Sequence, residues 1–135
     1  MSRMAITSHR DLIVWTKAVA LAAEVGRIAN KLPECERYGL ATQLRRAAVS
    51  VSSNIAEGAG RFERGDYRRF VLIARGSLAE VESQLEVAVI MGYLHRDDIA
   101  HAEELCREVI RMLTRLWRAL KLTPAAKRAR DAESG

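Results

Sequence analysis

The chain has little of what metal-binding and disulfide-stabilised proteins require. Only two of its 135 residues are cysteine, Cys35 and Cys106, and they lie far apart without a CxxC spacing. A disulfide framework or a structural zinc site would need more of them. The three histidines, His9, His95 and His101, lie near the termini of the chain or of its predicted helices. We therefore expect a reduced, cytoplasmic protein without a metal or any other cofactor.

Long hydrophobic runs and helix-breaking residues are also scarce. No apolar run has the length of a signal peptide or a bilayer-spanning helix, so we expect no contact with a membrane. Proline occurs only at positions 33 and 124, and Ala, Leu, Val, Glu and Arg dominate, which favours helix. The net charge is +5. This basic balance permits contact with nucleic acid but does not establish it.

Apolar residues recur at helical spacing in four long segments. The predicted helices run from about Asp11 to Leu32, Tyr38 to Gly58, Arg64 to Met91 and Asp97 to Leu122. Because short connections favour antiparallel neighbours, we predict an all-α, up-down-up-down four-helix bundle over residues 1–122. A three-helix core with a broken second helix is the alternative. Residues 123–135 have no large apolar side chain, so they are predicted to form a disordered basic tail.

Each predicted helix has an apolar stripe that we expect to form the core. The predicted stripe of the first helix is Leu12, Trp15, Ala18, Val19, Ala22, Val25, Ala29 and Leu32. That of the fourth helix is Ile99, Ala102, Cys106, Val109, Leu113, Leu116 and Leu120. Gly58 and Gly60 are predicted to mark the end of the second helix.

The third helix carries a second apolar face opposite its core stripe. This face contains Leu72, Gly76, Ser83, Val87 and Ile90, with Ile73 and Met91 nearby. The second helix carries an arc of small residues, namely Val49, Ser52, Ser53, Ala56 and Gly60. A helix that is apolar on two sides usually buries both, so these faces favour a homo-oligomer. The alternative is a monomer that covers them with its own loops and tail.

A polar stripe follows one side of the second helix. Its members at i, i+4, i+8 and i+11 are Arg46, Ser50, Asn54 and Glu57. Glu80 and Glu82 on the third helix are available as acidic partners. We interpret the stripe as a polar network that fixes helix register or a subunit contact, with ligand or RNA contact as the alternative. A carboxylate without a base, nucleophile or metal partner specifies no reaction, so we predict no enzymatic activity.

Arginines cluster around the connection between the second and third helices. The predicted nucleic-acid contacts are Arg45, Arg46, Arg61, Arg64, Arg68 and Arg69. Arginine binds phosphate through bidentate hydrogen bonds, although acidic neighbours dilute the local charge. Phe62 and Tyr67 are each equally suited to stacking on a base and to packing in the core. Ordinary surface charge and nucleic-acid contact therefore both stay open.

Three segments carry a family resemblance: DLIVWTKAVALA, YGLATQLRRAAVSVSSNIAEGAGR and FVLIARGSLAEVESQLEVAVIMGYL. Over about residues 10–120 the chain resembles the bacterial ribosomal protein S23 family. That family includes proteins encoded in intervening sequences of 23S ribosomal RNA genes. The resemblance implies a four-helix bundle that assembles as a homopentamer and has no catalytic residues. A related branch, the accessory variability determinant of diversity-generating retroelements, uses a basic surface to engage nucleic acid and a reverse transcriptase.

Together these features predict a non-enzymatic oligomer that binds structured nucleic acid, such as ribosomal RNA, through clustered arginines. The alternative is a homo-oligomeric scaffold that binds a protein partner and no nucleic acid.

Overall fold

The computed structural model describes residues 9–121 and residue 132. Within them the chain forms no β-strand, and the predicted all-α class is confirmed. The helices are α1 (His9–Ala29), α2 (Leu40–Ala59), α3 (Arg64–Ile90) and α4 (Arg96–Ala119), with a short 3-10 helix at Glu34–Glu36. None of these described helices is long and apolar enough to cross a bilayer. Apart from residue 132, the predicted tail at 123–135 lies outside the described residues.

Each helix packs against two neighbours in the order expected of an antiparallel bundle. α2 contacts α1 and α3, and α4 contacts the same two helices. Lys31 Nζ lies 3.4 Å from the Asp98 carboxylate and joins the end of α1 to the start of α4. Arg64 Nη1 donates to the carbonyl oxygen of Ala119 at 3.2 Å and joins the start of α3 to the end of α4. These contacts fit the predicted up-down-up-down order, and the three-helix alternative is wrong because α2 is continuous.

The bundle therefore has two distinct ends. The elbow end contains the α2–α3 connection, residues 60–63, together with the start of α1 and the end of α4. The far end contains the 3-10 helix and the α3–α4 connection. Two contacts lie near the middle of the helices. Lys17 Nζ is 2.9 Å from Glu108 Oε2, and the hydroxyls of Ser50 and Ser77 are 2.9 Å apart.

The core follows the predicted stripe fully on α4 and only in part on α1, where Ala18, Val25, Ala29 and the following Leu32 are buried as predicted. All seven positions predicted for the fourth helix are buried, including Leu120, which directly follows α4. On α1, Leu12 and Val19 are exposed, and Val14, Leu21 and Ile28 are buried instead. α1 is apolar or Ala-rich on most sides, so its periodicity alone does not fix which face turns inward.

Gly58 has a packing role as well as a position near a helix end. α2 ends one residue later, at Ala59, and Gly58 itself is buried. A Cβ at this position would lie 2.8 Å from Phe70 Cβ and 2.8 Å from Tyr67 Cδ1. Such distances are well below van der Waals contact, so only glycine allows α2 and α3 to approach this closely at the elbow.

Candidate nucleic-acid interface

Charge is divided unequally between the two ends of the bundle. The two contacts near the middle of the helices divide the bundle into two halves. The elbow half consists of residues 9–19, 50–77 and 108–121. The far half consists of residues 20–49 and 78–107. The elbow half has eleven Lys and Arg against five Asp and Glu, a net charge of +6. The far half has seven against ten, a net charge of −3. The positive surface therefore belongs to one end of the bundle.

Two elbow arginines are held against the end of α4. Arg64 donates to Ala119 O, one of the last carbonyls of α4, where the helix dipole favours a cation. The Arg68 guanidinium lies 4.1 Å from the centre of the Trp117 ring. Arg68 Nε is buried and makes no hydrogen bond within the described residues, so the indole holds this side chain.

Two further predicted arginines at the elbow, Arg61 and Arg69, share a different ring. The guanidiniums of Arg61 and Arg69 each lie 4.9 Å from the centre of the Phe70 ring. Two such distances allow a separation of at most about 10 Å between the two cations. Arg61 is also paired with Glu57 at 2.8 Å. Arg69 is exposed, and Phe70 fixes the position of its charge without neutralising it.

Arg45 and Arg46 do not join this cluster. They lie 13 to 14 residues before the end of α2, which is about 20 to 21 Å along the helix axis, and Arg61 follows that end. Arg45 donates to the Asn30 side chain just after α1. Arg46 lines the opposite side of α2, facing α3. The six predicted arginines therefore form one group of four at the elbow and two separate side chains.

The polar stripe forms a hydrogen-bonded network only at its centre. Asn54 Nδ2 donates to the backbone oxygen of Ser50 at 2.8 Å and to its hydroxyl at 2.9 Å. The Ser50 hydroxyl in turn contacts Ser77, which joins α2 to α3. Glu57 pairs with Arg61 and not with this network. The central contacts are of the kind that fixes the register of two packed helices.

A groove of about 340 Å³ runs beside this network. It is lined by Gln43, Arg46, Ala47, Ser50, Ser77, Glu80 and Gln84. Arg46 and Glu80 both border it, yet no ion pair joins them in the described part of the chain. Glu82 lies elsewhere, near Cys106. Burial, aided by the Glu82 charge, raises the pKa of the Cys106 thiol to about 12.

The outer face of α3 is exposed in the single chain, so the predicted subunit interface on it stays a prediction. Its exposed large side chains are Leu72, Ile73, Val87, Ile90 and Met91. The arc of small residues on α2 is less uniform. Ser52 is buried and Ala56 is half-buried, whereas Val49 and Ser53 are exposed.

The two aromatic residues that the sequence left undecided have opposite surroundings. Tyr67 is 8% exposed and belongs to the core, and burial together with the nearby Asp11 carboxylate raises the pKa of its hydroxyl. Phe62, in the elbow connection, is fully exposed. Arg115, Arg118 and Lys121 also lie in the elbow half, although the sequence pattern did not place them among the predicted nucleic-acid contacts. The predicted antiparallel order already implies that the basic end of α4 lies beside the α2–α3 connection, and this was the signal that could have identified them.

Comparison with known proteins adds a family and a fold. A family model described as 23S rRNA-intervening sequence protein matches residues 10–115. The chain is also similar to a solved protein of unknown function from the S23 ribosomal protein family of Bacteroides thetaiotaomicron. That similarity has 21% identity and a TM-score of 0.74, and it covers 81% of this chain and 98% of the other. At this identity it supports the fold alone. No curated protein matches the chain.

Proposed function

The chain belongs to the 23S rRNA-intervening sequence protein family, and from that premise we propose that it is a non-enzymatic protein that binds structured RNA through its elbow end. The observation that carries the proposal is the division of charge, +6 in the elbow half and −3 in the far half. A phosphate backbone is attracted to the first and repelled by the second.

The charges of the two ends act separately at physiological ionic strength. α2 has 20 residues and therefore spans about 30 Å between the two ends. Salt screens exposed charges over about 8 to 10 Å, so the acidic far end does not cancel the field at the elbow. A phosphate at the elbow is therefore attracted mainly by its arginines, chief among them Arg64 and Arg69.

The elbow arginines are also partly immobilised before any ligand arrives. Arg68 is held by Trp117, and Phe70 holds both Arg61 and Arg69. Side chains that are already ordered lose less conformational entropy when they bind. This order favours a specific phosphate-binding surface over a diffuse positive one.

Self-association is part of the proposal. The exposed apolar side chains on α3 favour burial against another copy of the chain, and the family resemblance favours a homopentamer. In a cyclic assembly whose axis runs along the bundles, every elbow end faces the same side. The basic surface would then be repeated, which strengthens binding to a long phosphate backbone.

The experiment is fluorescence anisotropy with a labelled RNA hairpin at 50, 100 and 200 mM salt. We expect binding at 50 mM that weakens as salt rises. Four arginine–phosphate contacts would give a log–log slope of about −3. Absence of binding even at 50 mM would contradict the proposal.

The same α3 face favours a second function, that of a homo-oligomeric scaffold for a protein partner. Light scattering coupled to size exclusion separates the two functions. An oligomer whose mass rises with RNA at low salt supports nucleic-acid binding. An oligomer that ignores RNA at every salt concentration supports the scaffold.

A further inference from the structure

We propose that Phe62 stacks on an unpaired base of the bound RNA, so that the elbow recognises a single-stranded loop and not a continuous duplex. This inference rests on the proposed function and adds the chemical class of its ligand. Phe62 would add one aromatic contact to the arginine contacts proposed above.

The first observation is the exposure of Phe62. Its side chain is fully exposed in the connection between α2 and α3, between Arg61 and Glu63 and two residues before Arg64. A phenyl ring gains free energy when it leaves water. The fold nonetheless leaves this ring in water, in the half of the bundle that has a net charge of +6.

The second observation is that both faces of the Phe62 ring are open. No guanidinium of the described residues lies over it, although the nearby Phe70 and Trp117 rings are covered by arginine. Those two rings already make cation–π contacts within the protein. Phe62 is therefore an elbow aromatic whose ring can accept a planar group from outside.

Tyr38, an exposed aromatic residue at the far end, provides a comparison with Phe62. Tyr38 is also strongly exposed, but the Arg37 guanidinium lies 5.5 Å from the centre of its ring. Tyr38 also belongs to the half with a net charge of −3. Exposure is common to both rings, and only Phe62 combines it with a free face and a positive surrounding.

The chemistry of a base fits this combination. Unpaired bases stack on exposed aromatic rings while arginines hold the phosphates beside them. Bases inside a duplex are stacked on each other and are not available to a side chain. The elbow should therefore bind a hairpin through its loop and prefer it to a duplex of the same length.

The test compares an RNA hairpin that carries 2-aminopurine in its loop with a blunt duplex of the same stem. The variants are Phe62→Ala, Phe62→Trp and the control Tyr38→Ala. We expect Phe62→Ala to weaken hairpin binding by roughly 5- to 100-fold and to leave duplex binding unchanged. Phe62→Trp should restore hairpin binding, and Tyr38→Ala should have no effect. The 2-aminopurine fluorescence should fall on binding to the wild type and not to Phe62→Ala.

Other results separate the inference from the proposed function. If the wild type binds the hairpin and Phe62→Ala binds it equally well, the stacking contact is wrong and RNA binding stands. If the wild type binds neither RNA at low salt, the proposed function itself fails. If Phe62→Ala changes the mass of the oligomer in light scattering, the ring belongs to a subunit interface, which also overturns the inference.

Discussion

The elbow and far ends of the bundle hold their cations in different ways. At the far end, basic side chains are matched by carboxylates, as in Lys31 with Asp98 and Arg96 with Glu86. At the elbow, Arg68 and Arg69 lie over aromatic rings. Each end has one exception, since Arg61 at the elbow also pairs with Glu57 and Arg37 at the far end also lies over Tyr38. A carboxylate both orients and neutralises a cation, whereas a ring orients it and leaves its charge in place. In the same fold, most cations at one end are neutralised by carboxylates, whereas cations at the other end keep their charge.

Removing equal charge from each end gives the strongest test of this comparison. We expect Arg64→Gln with Arg69→Gln to weaken RNA binding on the order of 100-fold, because two charge-assisted phosphate contacts are lost. The magnitude of the log–log salt slope should fall by about 1.5. The matched double variant Arg27→Gln with Arg37→Gln removes the same charge from the far half and should bind nearly as well as the wild type. Equal losses for the two pairs would mean that binding depends on net charge alone.

The tight packing at the elbow gives the next largest effect. Gly58→Ala should lower the free energy of unfolding by about 1 to 3 kcal/mol, because its Cβ would overlap Phe70 and Tyr67. Gly26→Ala on α1 is the control, since a Cβ there meets nothing within 4 Å. It should be neutral or stabilising by up to about 1 kcal/mol. Urea unfolding measures both, and a stable Gly58→Ala protein would mean that the elbow can relax.

The fold was more predictable than the site because helical periodicity is local. The stripe of α4 alternates with charged residues, so its inward face could be read directly from the sequence. α1 offers apolar residues on several sides, so Leu12 and Val19 were assigned to the core although they are exposed. Family membership, inferred from three segments, is confirmed.

The site depended on distances that the sequence does not contain. Arg46 and Arg61 are close in the sequence, but the 13 helical residues from Arg46 to the end of α2 separate them by about 20 Å. Phe62 and Tyr67 are five residues apart, and only the packing of α3 separates a buried ring from an exposed one. The charge division likewise appears only after the antiparallel order brings the end of α4 beside the start of α3.

Acid should weaken the far end through its carboxylates, and this effect is smaller. The backbone N–H of His95, aided by Lys31, lowers the pKa of Asp98, and a hydrogen bond from Arg96 lowers that of Glu86. A depressed folded-state pKa contributes stability that is present above the unfolded-state value and lost as pH falls through the folded-state value. The free energy of unfolding should therefore decline below about pH 4.5. Asp98→Asn with Glu86→Gln should flatten that decline in urea unfolding between pH 6 and 3, and an unchanged slope would contradict it.

The smallest effect on RNA binding is expected from a chemical modification at the far end. Cys35 is exposed in the 3-10 helix, about 30 Å from the elbow by the length of α2.

Cys106 is buried and its thiol pKa is raised to about 12, so a maleimide at neutral pH should modify Cys35 alone. We expect a bulky polyethylene glycol on Cys35 to change hairpin affinity by less than about twofold, because repulsion keeps phosphates away from the acidic end. Cys35→Ser treated with the same reagent is the control, and mass spectrometry should find it unmodified. A marked loss of affinity only in the modified protein would mean that RNA also contacts the far end. The proposal that RNA binds through the elbow end alone would then be wrong.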